Sequence, residues 1–403
     1  MSGPAKIVLV GNFQPDRQES MLRFERALAG GFTARGLPVE TIRPEPHFIK
    51  CGPRYRYGGL PKYLGYLDKF LLFPRRLHRI ARAAAPGTVF HIVDHGNAVY
   101  APHLRPAPVL VTVHDLLQIR SARGEFPQNR LSRSGAKYQE WILQNLSKLP
   151  AAVCISEKTR TDLQRLTGLA DNSIAVVPNS LNFPYSPLPA SEATPLLARA
   201  LARHHLRWPA PRAEAGETPR FLFAIGGAQW YKNRTGIIAI YAALRRLPGP
   251  ARPLVYVGPA FDSEQQALID QHCLHDAVIR IPGLDNRELQ AAYSLADGLL
   301  FPSWEEGFGW PIAEAQACGC PVFTTNRAPM TEVAGDAACY FDPTDPAAAA
   351  STIAAALADS APLREAGLAR APRWEPGVML DAYFNCYTLL LENKHGAPFP
   401  HAA

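Results

Sequence analysis

The sequence predicts an α/β protein made of two doubly wound domains. Three observations lead there. Short apolar runs rich in Val, Ile and Leu alternate with helical patterns through both halves of the chain. The length, 403 residues, exceeds what one ordinary core fills and suits two domains. A Pro- and Ala-rich stretch, poor in strand signal, separates the two sets of alternating units.

In the first half the expected strands are 6–13, 88–93, 109–113, 152–155 and 174–177. Helical patterns at 20–35 and 158–167 fall between them. In the second half the strands are 220–225, 254–257, 278–281, 298–301 and 322–324. Helices are expected at 235–245, 263–272, 286–296, 311–317 and, Ala-rich, 347–358. Alternating βα units imply parallel sheets covered by helices on both faces. The domains expected are residues 1–185 and 219–375, with 186–218 as linker or peripheral insertion. A terminal helix at 376–392 opens a last segment, 376–403, that crosses back to the first domain. Ligands bind outside the carboxyl ends of parallel strands, so two such domains facing each other imply a binding cleft between them.

Composition narrows the classes. Apolar residues make up 47% and charged residues 19%, which is globular rather than disordered. No apolar run is long enough to span a bilayer, and no signal-like segment precedes the first strand, so a cytoplasmic location is expected. Seven scattered cysteines do not form a disulfide framework, and Cys318 and Cys320 have the wrong spacing for a zinc knuckle. Residues 1–200 carry 26 Lys and Arg against 14 Asp and Glu, while the second half is net acidic. Nine basic residues fall within 50–82, opposed only by Asp68. Such a face suits a lipid surface, a lipid-diphosphate acceptor or a nucleic acid, or is simply solvated.

The most informative stretch is FPSWEEGFGWPIAEAQACGCPV, residues 301–322. It reads as strand, glycine turn, helix, glycine stop and strand. Pro311 suits a first helical turn, and Gly319 the position just past a helix end. Gly307 and Gly309 leave the backbone N–H groups open to a ligand, and the positive helix end beside them suits a diphosphate. Glu306 and Glu314 would repel a diphosphate but can accept from sugar and ribose hydroxyls; alternatively they only favour a helix N-terminus.

This stretch resembles the retaining glycosyltransferases of family 4, which share the two-domain, Rossmann-like GT-B fold. Their hallmark is a Glu, seven residues, then a second Glu, around a Gly-Phe-Gly turn. Glu306 and Glu314 fit that spacing, Ser303 precedes them as the pattern expects, and the match continues through 331–336 and 341–343. The resemblance implies that Glu306 contacts the donor sugar and Glu314 the nucleotide ribose. It implies that the amides of Gly307, Phe308 and Gly309 hold sugar and phosphate.

Other segments agree in order. A lysine at a strand-to-helix turn is placed to neutralise a leaving diphosphate, and Lys232 matches the family lysine used that way. Gly226 and Gly227 stand where many relatives carry an arginine, so the second cation is either missing or supplied by Arg234, after Asn233. The segment of Ile281 and Gly283 would lie near the nucleobase. His114 ends the strand at 109–113; it either meets a reacting hydroxyl or is satisfied by local backbone. The resemblance implies the first, since the family often has a His there touching the donor sugar. His95 is a second candidate, and Gln14, His95 and Asp115 are read as acceptor-side residues. The first loop lacks the family's glycine pair, so acceptor identity does not carry over.

There is no Asp-x-Asp pair of the kind that holds a divalent metal. That absence leads us to expect an enzyme that needs no metal or cofactor. The resemblance implies a hexosyltransferase that takes a GDP- or UDP-linked sugar, with mannose favoured, and retains the anomeric configuration. Its acceptor would be a polysaccharide or lipid-linked glycan. The basic, aromatic 50–82 region suggests docking on the inner face of an anionic membrane. Three rivals stand beside it: a nucleotide-sugar epimerase of similar fold, a non-catalytic sugar-nucleotide binder, and a nucleic-acid binder. The last lacks any recognition motif for its basic residues.

Overall fold

A computed structural model describes residues 3–48, 60–206, 220–250 and 252–392. The chain divides into two compact units, Met1–Asn182 with Glu375–Ala403, and Phe183–Trp374.

The first unit holds six parallel strands: β1 Lys6–Val10, β2 Val39–Ile42, β3 Thr88–Ile92, β4 Val109–Val113, β5 Ala152–Cys154 and β6 Ile174–Val176. Their order is β2-β1-β3-β4-β5-β6. β1 runs shorter than the expected 6–13 because its pairing ends with Val10 against Ile42 and Ile92, and Gly11–Phe13 leave the sheet at its carboxyl edge. Strand side chains alternate between two cores. Val8, Val10, Phe90 and Ile92 pack with Phe73, Leu77 and Tyr100 on one face. Ile7, Leu9 and Val89 pack with Phe24, Leu28 and Phe32 on the other.

The terminal helix Pro376–Glu392 completes that second face with Met379, Leu380, Tyr383 and Tyr387. A buried polar chain locks it down. His91 Nδ1 bonds Tyr387 Oη at 2.7 Å, His91 Nε2 bonds Thr112 Oγ1 at 2.8 Å, and Thr112 Oγ1 bonds Tyr383 Oη at 2.9 Å. Burial and the nearby His114 pull the His91 pKa down to about 3, so the ring is neutral at pH 7.

The second unit repeats the plan with β7 Leu222–Ile225, β8 Leu254–Val257, β9 Val278–Ile281, β10 Gly298–Phe301, β11 Val322–Thr325 and β12 Cys339–Phe341. All pairings are parallel and the order is β12-β11-β10-β7-β8-β9. Its core joins Leu222, Ala224, Leu254 and Tyr256 to Ile237, Ile240, Tyr241 and Ile353.

The stretch expected as a linker or peripheral insertion is 186–218. It contains the helix Ala190–Arg203, which buries Ala193, Leu197, Ala200 and Leu201 and belongs to the second unit. Arg203 forks onto Glu288 at 2.6 and 2.8 Å, and Arg287 pairs with Glu192, tying this helix to Asn286–Leu295. Residues 207–218 of that stretch lie outside the described residues, as do 50–59 of the basic segment and 393–403 of the tail. The basic segment's described part includes Leu60–Leu67, a π turn at Asp68–Leu72 and Phe73–Arg82. Among the described residues no helix is long and apolar enough to cross a membrane.

Candidate functional site

In a doubly wound sheet the loops of two adjacent strands diverge where the strand order reverses, and ligands bind at the carboxyl ends there. In the second unit that switch point lies between β7 and β10. The loop after β7 carries Lys232 and the loop after β10 carries Glu306. Their side chains meet, Lys232 Nζ donating to Glu306 Oε1 at 2.6 Å. Ser303, 1% exposed, donates to the same oxygen at 2.9 Å. The ammonium also lies 5.3 and 5.5 Å from the Tyr231 and Phe301 ring centroids. Carboxylate and ammonium are mostly buried, at 8% and 18% side-chain exposure.

Asn233 explains how the two loops are held. It adopts the left-handed conformation (φ 48°) and caps the helix Arg234–Leu244 by accepting from the Gly236 N–H at 3.0 Å. Its amide donates to Pro302 O at 2.9 Å, and the Trp304 N–H donates to Tyr231 O at 2.8 Å. Two bonds thus lace the β7 loop to the β10 loop.

The glycine turn leads into the helix Trp310–Ala317. Gly309 sits at its N-cap with φ 98°, a conformation side chains resist, and no side chain caps this helix start. The Phe308 ring is buried, 5.3 Å from Trp374. Glu314 is buried one turn into the helix and accepts from the Tyr293 hydroxyl at 2.8 Å. Gly227 lies in the β7 loop. Ile281 ends β9 as a buried core side chain, and Gly283 follows with open space around it.

Arg234 requires a correction. Its guanidinium donates to Pro259 O (3.2 Å) and Ala260 O (2.6 Å) and stacks near Tyr256 and Phe261. It is 6% exposed. Its charge serves the protein's own carbonyls in the β8 loop, so it is not the second phosphate cation that the sequence suggested.

In the first unit the switch point lies between β1 and β3. Here the structure shows a polar cluster that sequence reasoning missed. Asn12 Nδ2 donates to Asp94 Oδ2 at 2.5 Å and to Gln18 Oε1 at 2.7 Å, and Asn97 donates to Asn12 Oδ1 at 2.9 Å. Burial pushes the Asp94 carboxyl up, but His95, His114 and bonds from Asn12 and Gly96 together hold it below the usual range. The one available signal was position: both residues follow strand ends.

His114 follows β4, buried, with Phe24 packed edge-on 4.7 Å away. Nε2 lies 2.8 Å from Val93 O. A carbonyl only accepts, so Nε2 carries the proton. Burial lowers the pKa, the neutral ring results, and the Nδ1 lone pair lies buried without a partner. His114 therefore donates from Nε2 to Val93 O and keeps Nδ1 as an acceptor. His95 also has a buried unbonded Nδ1, 3.5 Å from Asp94. Asp115 accepts from the Leu117 N–H at 3.0 Å, opening the next helix, and Gln14 is exposed in the turn Gln14–Asp16. Among the described residues no cluster of three or more His, Cys, Asp or Glu side chains is arranged to hold a metal.

Comparison with known proteins agrees with this geometry. Residues 23–183 match the family model described as Glycosyltransferase Family 4, and residues 210–373 that of Glycosyl transferases group 1. The chain is 26% identical over 322 residues to O-antigen chain mannosyltransferase B of Escherichia coli, spanning 78% of this chain and 79% of that protein. It is 31% identical over 295 residues to the D-inositol 3-phosphate glycosyltransferase of Xylanimonas cellulosilytica, 68% of this chain and 66% of that one. Anabaena HepE, solved in complex with UDP and glucose, superposes with a TM-score of 0.66 at 15% identity over 94% of this chain and 98% of its own. Two parallel six-stranded sheets with this edge chemistry define a glycosyltransferase of the GT-B type. The chain belongs to glycosyltransferase family 4.

Proposed function

We propose that the protein transfers a hexose, with mannose favoured, from a GDP- or UDP-linked donor to a polysaccharide or lipid-linked glycan. The configuration at the anomeric carbon is retained and no metal takes part. The observation that carries this reading is the Lys232–Glu306 pair beside an uncapped helix start at the β7/β10 switch point. The O-antigen mannosyltransferase relative favours the sugar and the class of acceptor.

In this mechanism the diphosphate takes over Lys232 and lies against the Gly307–Gly309 turn, where helix end and ammonium stabilise the charge that develops. Glu306, released from Lys232, accepts from a donor-sugar hydroxyl, and Glu314 accepts from the ribose. Within the first unit, His114 keeps an acceptor lone pair at Nδ1. The bond from the anomeric carbon to the diphosphate oxygen breaks, and the acceptor oxygen bonds on the same face. The acceptor proton passes to the leaving phosphate. The site is cytoplasmic in this reading, and the basic 50–82 region docks on anionic lipid.

Screening GDP- and UDP-sugars for thermal stabilisation, then for donor hydrolysis and transfer with EDTA present, tests the reading. Anomeric proton NMR of the product reports stereochemistry. A Glu306→Gln enzyme of full activity would count against the assigned role. Epimerised donor without transfer would favour the epimerase alternative, and binding without nucleotide release the non-catalytic one. Failure to float with anionic liposomes at low salt would remove the membrane docking.

A further inference from the structure

Glu314 reaches its place by an unusual route for a buried carboxylate near a ligand site. It is 5% exposed, on the helix Trp310–Ala317, and its Oε2 receives the hydroxyl of Tyr293 from the neighbouring helix Asn286–Leu295. Tyr293 is itself fully buried. Its ring packs edge-on against Phe223 of β7, centroids 5.0 Å apart, and against Tyr185 at 6.2 Å. Ring and hydroxyl therefore have separate partners: the ring belongs to the core, and the hydroxyl to a carboxylate beside the glycine turn.

We propose that Tyr293 is a positioning residue for nucleotide recognition, its hydroxyl fixing the Glu314 carboxylate in the orientation that accepts from a ribose hydroxyl. This rests on the reading of Glu314 as the ribose contact. A glutamate has three side-chain torsions, and one charge-assisted bond to a rigid aromatic hydroxyl removes most of that freedom before the nucleotide arrives. The Tyr293 hydroxyl can only serve as donor here. Burial and the adjacent carboxylate raise its pKa well above 10, so the proton stays on the phenol. The helix bearing Tyr293 is held in turn. A capping box of Asp285 and Glu288 starts it, and Arg203 forks onto Glu288 from the helix Ala190–Arg203.

The test compares the full-length protein with its Tyr293→Phe and Glu314→Gln variants. Tyr293→Phe keeps the ring and its packing. Calorimetry measures affinity for UDP and GDP and for their 2′-deoxy and 3′-deoxy counterparts. The wild type is expected to prefer the ribonucleotide. In Tyr293→Phe that preference shrinks and ribonucleotide affinity falls roughly tenfold, while deoxynucleotide affinity hardly moves. In steady-state assays KM for the donor rises more than kcat falls. If Tyr293→Phe keeps the full ribose preference while Glu314→Gln loses it, the positioning role is overturned and the ribose contact stands. If Glu314→Gln keeps it too, the ribose contact itself is overturned and the positioning role goes with it.

Discussion

The Lys232 ammonium lies 2.6 Å from Glu306 Oε1, although 74 residues separate them along the chain. Each lies in the loop after a different strand, β7 and β10, and the sheet order makes those strands neighbours. The two charges satisfy each other in a mostly buried place. In the proposed mechanism they part when donor binds, one to phosphate and one to sugar.

Lys232→Met is expected to lower kcat by roughly a hundredfold to a thousandfold, the usual cost of removing a group that stabilises developing charge. Glu306→Gln is expected to act on the sugar instead. It should bind UDP or GDP as the parent does, yet gain little from an attached hexose. Titrating nucleotide and nucleotide-sugar side by side separates the two.

Arg234→Ala is expected to lose stability rather than phosphate affinity. Two carbonyls, Pro259 O and Ala260 O, lose a charged donor. The cost is about 1–3 kcal/mol. Thermal unfolding should show it, while donor KM moves far less than in Lys232→Met.

Gly309→Ala should destabilise the protein by about 1–2 kcal/mol, since φ of 98° puts a Cβ against its own backbone. The added methyl otherwise meets Ile312 Cδ1 at 3.4 Å, a contact that side chain can yield to. Relief of the strain by reshaping the turn would appear as weakened donor binding in the same calorimetric titration.

Stability should decline on acidification below about pH 6.5. His91 and His114 both have pKa values lowered by burial, His91 to about 3. Between the folded and unfolded values the unfolded chain binds more protons, so their stabilising contribution is complete above 6.5 and drains away as pH falls. Each histidine adds a slope of up to about 1.4 kcal/mol per pH unit. Urea midpoints at pH 7, 6 and 5 measure it, and His91→Asn should flatten the dependence.

The sequence alone determined the succession of βα units, the glycine turn and the Glu306–Glu314 spacing. These are local properties, written in the period of apolar side chains and in the backbone demands of glycine and proline. It did not disclose β2 or β12. Both are edge strands, and in β2 only Ile42 is fully buried, so neither needs the continuous apolar run that marks a central strand. Nor did it disclose the helix at 190–203, whose Pro and Ala content read as a linker until its apolar face met the helix carrying Glu288. The tertiary structure also decided which way Arg234 turns, which nitrogen of His114 is occupied, and that Asn12 meets Asp94. Each depends on what a distant loop places beside the side chain. Strand order sets those neighbours, and strand order comes from how the sheet packs rather than from any window of residues.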